Sequence, residues 1–200
     1  DYDLDGDVDL ALMGRVGTTH YAIIYQNRGG SLVNINAELT GVSEGALAWS
    51  DIDNDGDPDL LVTGKNQNGQ LTKLYRNEKG KFKYLQTGLQ NVGANSNVAW
   101  GDYDNDGDQD LLLAGYTGSL RITKLYRNDG AKFVDVNANL APLGNPSLSW
   151  GDYDNDGFLD ILMNGDDEYR TPTTALYHNN SYGGFVKQET SLANVMRGSA

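Results

Sequence analysis

An acidic nonapeptide recurs four times at near-constant spacing, and few folds can accommodate that. It reads DYDLDGDVD from Asp1 to Asp9, DIDNDGDPD from Asp51 to Asp59, DYDNDGDQD from Asp102 to Asp110 and DYDNDGFLD from Asp152 to Asp160. The first aspartates are 50, 51 and 50 residues apart, and self-similarity at a fixed period of this size predicts a repeat architecture. Crowding so many like charges into a short loop is costly unless a cation sits among them. A hard divalent ion is the natural partner: Ca²⁺ takes six to eight oxygens, and alternating side chains on a tight turn can converge on it. Glycine at position 6 lets the chain turn sharply. The candidate ligands are Asp1, Asp3, Asp5, Asp7 and Asp9; Asp51, Asp53, Asp55, Asp57 and Asp59; Asp102, Asp104, Asp106, Asp108 and Asp110; and Asp152, Asp154, Asp156, Phe158 and Asp160. Position 7, which is Phe158 in the fourth loop, enters through its main-chain carbonyl.

The loop is not an EF-hand. That motif needs a bidentate glutamate at position 12 and flanking helices, whereas position 12 here is Leu12, Val62, Leu113 or Met163. A period near fifty also excludes the glycine-rich nonapeptide calcium repeat.

Charge supports the same reading. The chain carries a formal net charge of −13, but 19 of its 28 acidic residues lie in the four loops, five in each of the first three and four in the last. One Ca²⁺ per loop, four in all, would bring the net charge to −5. No basic stripe of the kind nucleic acid requires is present, and no apolar run approaches the roughly 18 residues of a membrane span. With no cysteine, disulfides play no part and the redox compartment is left open. Two hundred residues suit one domain, read as 1–200 with repeats 1–50, 51–101, 102–151 and 152–200.

Each repeat follows one plan. In the second, Ala46 to Ser50 is a short apolar strand entering the loop. Asp59 to Gly64 is a strand apolar enough to be buried on both faces. Lys65 to Gly69 is a polar turn, Gln70 to Asn77 a third strand, and Lys81 to Leu85 an outer one. A Tyr-x-Asn triplet recurs at Tyr25-Gln26-Asn27, Tyr75-Arg76-Asn77, Tyr126-Arg127-Asn128 and Tyr177-His178-Asn179. Trp49, Trp100 and Trp150 each stand two residues before a loop, and these aromatics are read as packing between units. Four short strands per repeat, with no helical period, fit four-stranded antiparallel blades of an all-β, β-propeller fold.

On these residues, the D-x-D-x-D-G-x-x-D-[LI] loops with the downstream Tyr-x-Asn strand, the whole chain resembles the FG-GAP/VCBS repeats, the calcium-bearing blades related to the integrin α-subunit propeller. No Phe-Gly…Gly-Ala-Pro signature is present, so integrin-type ligand recognition is not carried over. The resemblance implies one Ca²⁺ per blade between the first two strands and a secreted or cell-surface setting. The expectation is a segment of a seven- or eight-bladed propeller, with self-association as the alternative.

Function is then expected at the turns between second and third strands, on the face opposite the calcium loops, because variable loops on a rigid frame carry recognition. His20, Tyr116, Arg121, Tyr169 and Arg170 are the candidate contacts for a glycan or protein ligand. The alternatives are a calcium-dependent polysaccharide lyase-type enzyme and a purely structural spacer. No catalytic constellation stands outside the metal loops, and His178 is read as an exposed strand residue.

Overall fold

The computed structural model describes residues 1–181, 184–196 and 198. It holds four antiparallel sheets in chain order. The first has three strands, β1 (Leu10–Val16), β2 (Thr19–Arg28) and β3 (Ser31–Asn34). The second has four, β4 (Leu47–Ser50), β5 (Asp59–Asn66), β6 (Gly69–Asn77) and β7 (Phe82–Leu85). The third contains β8 (Asn97–Gly101), β9 (Asp110–Tyr116), β10 (Arg121–Asn128) and β11 (Phe133–Asp135). The fourth contains β12 (Gly144–Gly151), β13 (Asp160–Asp166), β14 (Pro172–Asn179) and β15 (Phe185–Gln188).

Each sheet is a propeller-like blade whose strands pair in sequence order, so every acidic loop after the first joins the first two strands of its blade. The expected polar turn at Lys65 to Gly69 is tighter than read: Lys65 pairs with Gln70 and Asn66 with Gly69, leaving Gln67 and Asn68 at the tip.

Three apolar seams hold neighbouring blades together. Ile24, Val42, Leu60, Val62 and Tyr75 join the first two blades. Leu61, Leu74, Val92, Leu111 and Leu113 join the next pair, and Leu112, Leu125, Leu143, Ile161 and Met163 the last. Because β5 alternates sides, Leu60 and Val62 enter one seam and Leu61 the next, and all are fully buried. At about 1.5–3 kcal/mol per buried side chain, these runs dominate cohesion. The same expectation does not hold for β1. Leu10 and Leu12 are 42% and 50% exposed, since among the described residues no blade packs on their side of the first sheet.

The tryptophans pack in the seams between blades as expected, and two of them meet a tyrosine of the preceding loop. Trp49 stacks on Tyr2 at 6.4 Å, and Trp150 on Tyr103 at 6.5 Å. Trp100 meets Phe133 at 5.9 Å. Trp49 and Trp150 therefore tie the stems of their loops to the loop of the preceding blade, whereas Trp100 and Phe133 belong to one blade.

Candidate metal centres and the opposite groove

The acidic loops owe their shape to their own carboxylates. The position-1 aspartate accepts the backbone N–H of positions 5 and 6: Asp5 and Gly6 donate to Asp1, Asp55 and Gly56 to Asp51, Asp106 and Gly107 to Asp102, and Asp156 and Gly157 to Asp152. Position 6 has φ of 91° to 96°, the left-handed region that glycine enters without penalty. Position 4 is left-handed too, with φ of 59°, 56°, 59° and 60° at Leu4, Asn54, Asn105 and Asn155. Asn54 donates to Asp108 and Asn105 to the Gly157 carbonyl, so adjacent loops touch.

Position 9 lies deepest. Asp59, Asp110 and Asp160 are at most 1% exposed. One oxygen of each accepts the position-2 N–H, from Ile52, Tyr103 or Tyr153, and the other the N–H of Asn77, Asn128 or Asn179. Burial raises the Asp59 carboxyl to about 6 and the Asp110 carboxyl to about 7, against those stabilising bonds. Asp53 and Asp104 are also raised, first by desolvation and then by neighbouring carboxylates.

Carboxylate oxygens converge in every loop. Asp1, Asp3 and Asp5, Asp51, Asp53 and Asp59, Asp102, Asp104 and Asp110, and Asp152, Asp154 and Asp160 each offer atoms within 4.8 Å of one another. The position-3 carboxylates provide a test of whether a cation fits. Oδ1 of Asp3, Asp53 and Asp104 is buried and accepts no hydrogen bond. An ionised oxygen shut away from water without a partner is expensive, and a divalent cation is the group this all-oxygen donor set suits.

The side chain at position 7 does something the sequence did not reveal. Asp7, Asp57 and Asp108 accept the backbone N–H of Gly29, Lys79 and Gly130 at 3.0, 3.0 and 3.1 Å. They pin the turn that leads into the last strand of the blade, a task that Phe158 gives up in the fourth loop.

The Tyr-x-Asn triplet also has parts that single positions concealed. The tyrosine hydroxyls of Tyr75, Tyr126 and Tyr177 accept the N–H of Thr40, Gln90 and Ala141 in the connector from the preceding blade. The asparagine bridges two blades. Asn77, Asn128 and Asn179 donate to the Tyr2, Ile52 and Tyr103 carbonyls of the preceding loop and to Pro58, Gln109 and Leu159 of their own. The repetition of asparagine in every unit was the available signal. The middle residue reaches the acidic loop in three blades: Gln26 donates to Asp3 at 2.6 Å, the Arg76 guanidinium lies 2.5 Å from Asp53 and 3.2 Å from Asp55, and the His178 ring faces Asp154 and Asp160. The Asp53 contact is an ion pair off the hydrogen-bonding direction. Arg127 turns away to Asp129 instead. His178 is thus no exposed strand residue; its side chain is 27% exposed and turned inward.

At the other end of the blades, Tyr116, Arg121 and Tyr169 line one groove of about 440 Å³ between the third and fourth blades, joined by Leu143, Asp167 and Glu168. Tyr169 is 80% exposed. Arg121 is held by Asp166 at 2.9 Å across the seam, so its charge is already matched. Arg170 is exposed at the turn tip with φ of 62° and does not line the groove. Three candidates correct the expectation of loop residues: His20 lies in β2 opposite Arg15, and Tyr116 and Arg121 pair with each other at the ends of β9 and β10.

A family profile described as FG-GAP-like repeat matches residues 1–62, 51–113 and 102–163. No curated protein matches the chain. Among solved structures, the chain is similar to an Agrocybe aegerita lectin that specifically recognises non-reducing terminal N-acetylglucosamine. The identity is 16%, the TM-score 0.52, and the match covers 82% of this chain and 44% of that one. The chain thus spans less than half the length of that lectin, and at this identity the likeness concerns the fold alone.

Proposed function

This chain belongs to the FG-GAP-like repeat family, and on that premise we propose that it is an extracellular recognition module braced by calcium. The observation that carries the metal reading is the set of buried, unpartnered position-3 oxygens at Asp3, Asp53 and Asp104. In this reading positions 1, 3, 5 and 9 hold Ca²⁺ with the position-7 carbonyl, one ion per loop. The bound ion neutralises clustered carboxylates and cross-links the loop; its role is structural.

Recognition is assigned to the groove of Tyr116 and Tyr169, with Asp167 and Glu168 as acceptors for sugar hydroxyls. An exposed tyrosine beside carboxylates suits a glycan, since its ring offers apolar area and its hydroxyl a polar tip. The lectin of similar fold makes terminal N-acetylglucosamine the first probe, followed by a glycan array. Binding that is lost in both Tyr116→Ala and Tyr169→Ala, with the melting temperature unchanged, supports the assignment. Glycan binding that survives both substitutions would move recognition elsewhere, and no binding across the array would favour a protein ligand.

A further inference from the structure

The fourth loop differs from the other three in its donor set. His178 Nδ1 lies 3.2 Å from Asp154 Oδ2 and 3.3 Å from Asp160 Oδ1, and it is shut from solvent without a hydrogen bond. Asp154, Asp156 and His178 offer atoms within 4.8 Å of one another. The Tyr153 ring packs edge-on against the imidazole at 6.2 Å, which fixes its orientation. A nitrogen lone pair facing two carboxylate oxygens is repulsive, so this position calls for either a proton or a metal ion between them.

The equivalent residues elsewhere cannot serve as donors to a cation. Arg76 and Arg127 carry a fixed positive charge, and the Gln26 amide is committed at both ends, its nitrogen donating to Asp3 and its oxygen accepting from Arg28. Imidazole nitrogen suits Zn²⁺ and its neighbours, whereas Ca²⁺ selects oxygen. Tetrahedral zinc with bonds of about 2.0–2.2 Å also places adjacent donors about 3.4 Å apart, close to the separations around Nδ1. Building on the reading that these loops hold cations, we propose that the fourth loop is a mixed nitrogen–oxygen site for a transition-metal dication such as Zn²⁺. Its donors are Asp154, Asp156, Asp160 and His178, while the first three loops are all-oxygen calcium sites.

The test is calorimetric titration of the chelator-treated chain with Zn²⁺ in millimolar Ca²⁺, alongside His178→Arg and His20→Asn. Arginine occupies this place in the second and third repeats, so the fold tolerates it; His20 is the only other histidine. The expected result is one Zn²⁺ that resists calcium, lost or weakened about tenfold or more in His178→Arg and retained in His20→Asn. Histidine NMR should show the His178 ring shifting on zinc addition. Zinc binding unchanged in His178→Arg, displaced by calcium, or lost in His20→Asn would overturn the proposal, as would a His178 ring insensitive to zinc. Calcium titration of His178→Arg judges the underlying reading separately, because all four of its loops then have the all-oxygen donor set read as calcium-binding.

Discussion

Replacing Asn128 by alanine isolates the link between blades from the metal sites. Its Nδ2 donates to the Ile52 carbonyl at 2.8 Å and the Gln109 carbonyl at 3.2 Å, and its Oδ1 accepts the Ala131 N–H at 2.7 Å. The residue is fully buried, so water cannot replace these bonds without opening the seam. Leaving a buried polar group unpaired costs about 1–3 kcal/mol. With three groups orphaned and some relaxation, Asn128→Ala should lose about 3–5 kcal/mol, a large share of the 5–15 kcal/mol typical of a domain. Asn27 supplies the internal control. Its Nδ2 reaches only the Val8 carbonyl of its own loop, at 3.2 Å, and it is partly exposed. Asn27→Ala should therefore cost about 1 kcal/mol. Urea unfolding followed by tryptophan fluorescence reads both, with Trp100 lying in the affected seam. The difference should persist in chelator, since the lock is made of backbone carbonyls rather than ligands. Equal losses in the two variants, or a loss below about 1 kcal/mol for Asn128→Ala, would refute the reasoning.

Three further outcomes follow from the loops. In chelator, the buried carboxyls of Asp59, about 6, and Asp110, about 7, lie above the unfolded value. The native state then binds more protons than the unfolded one, so stability present at low pH is lost as pH rises from about 4 through about 7. Thermal melts of the metal-free chain should fall over that window, and millimolar calcium should abolish the trend; a melt that rises with pH would contradict it. Asp104→Ala should reduce calorimetric stoichiometry from four dications to three and remove about 0.4–1.4 kcal/mol of calcium-dependent stability at millimolar calcium. An unchanged count would sink that ligand assignment. Leu4→Asn should stabilise the chain by about 1 kcal/mol in urea unfolding, because leucine there is held left-handed where the other repeats place asparagine.

The repeats made much of this protein readable. The strands of the second unit begin and end within a few residues of where alternation and turn residues place them. The acidic loops cluster their carboxylates as their spacing implies. His20 and His178 were misplaced for different reasons. The turn before His20 is tighter than its polar composition indicates, so β2 takes the residue in. His178 follows its strand as expected, but its side chain leans over a loop 18 residues earlier in the chain, and strand periodicity carries no such information.

The sequence by itself determined the repeat length, the strand order within a blade and the identity of the acidic loops, because these depend on local spacing and on like charges crowded into a few residues. Only the tertiary structure decided which carboxylates are left without a partner, that position 7 braces a hairpin, that Asn77, Asn128 and Asn179 bind one blade to the last, and that Tyr116 and Tyr169 share a groove. Those outcomes depend on hydrogen bonds and contacts between residues some fifty or more apart or across neighbouring hairpins of one blade. Each is set by how far the apolar seams draw the sheets together, a quantity that no single stretch of chain encodes.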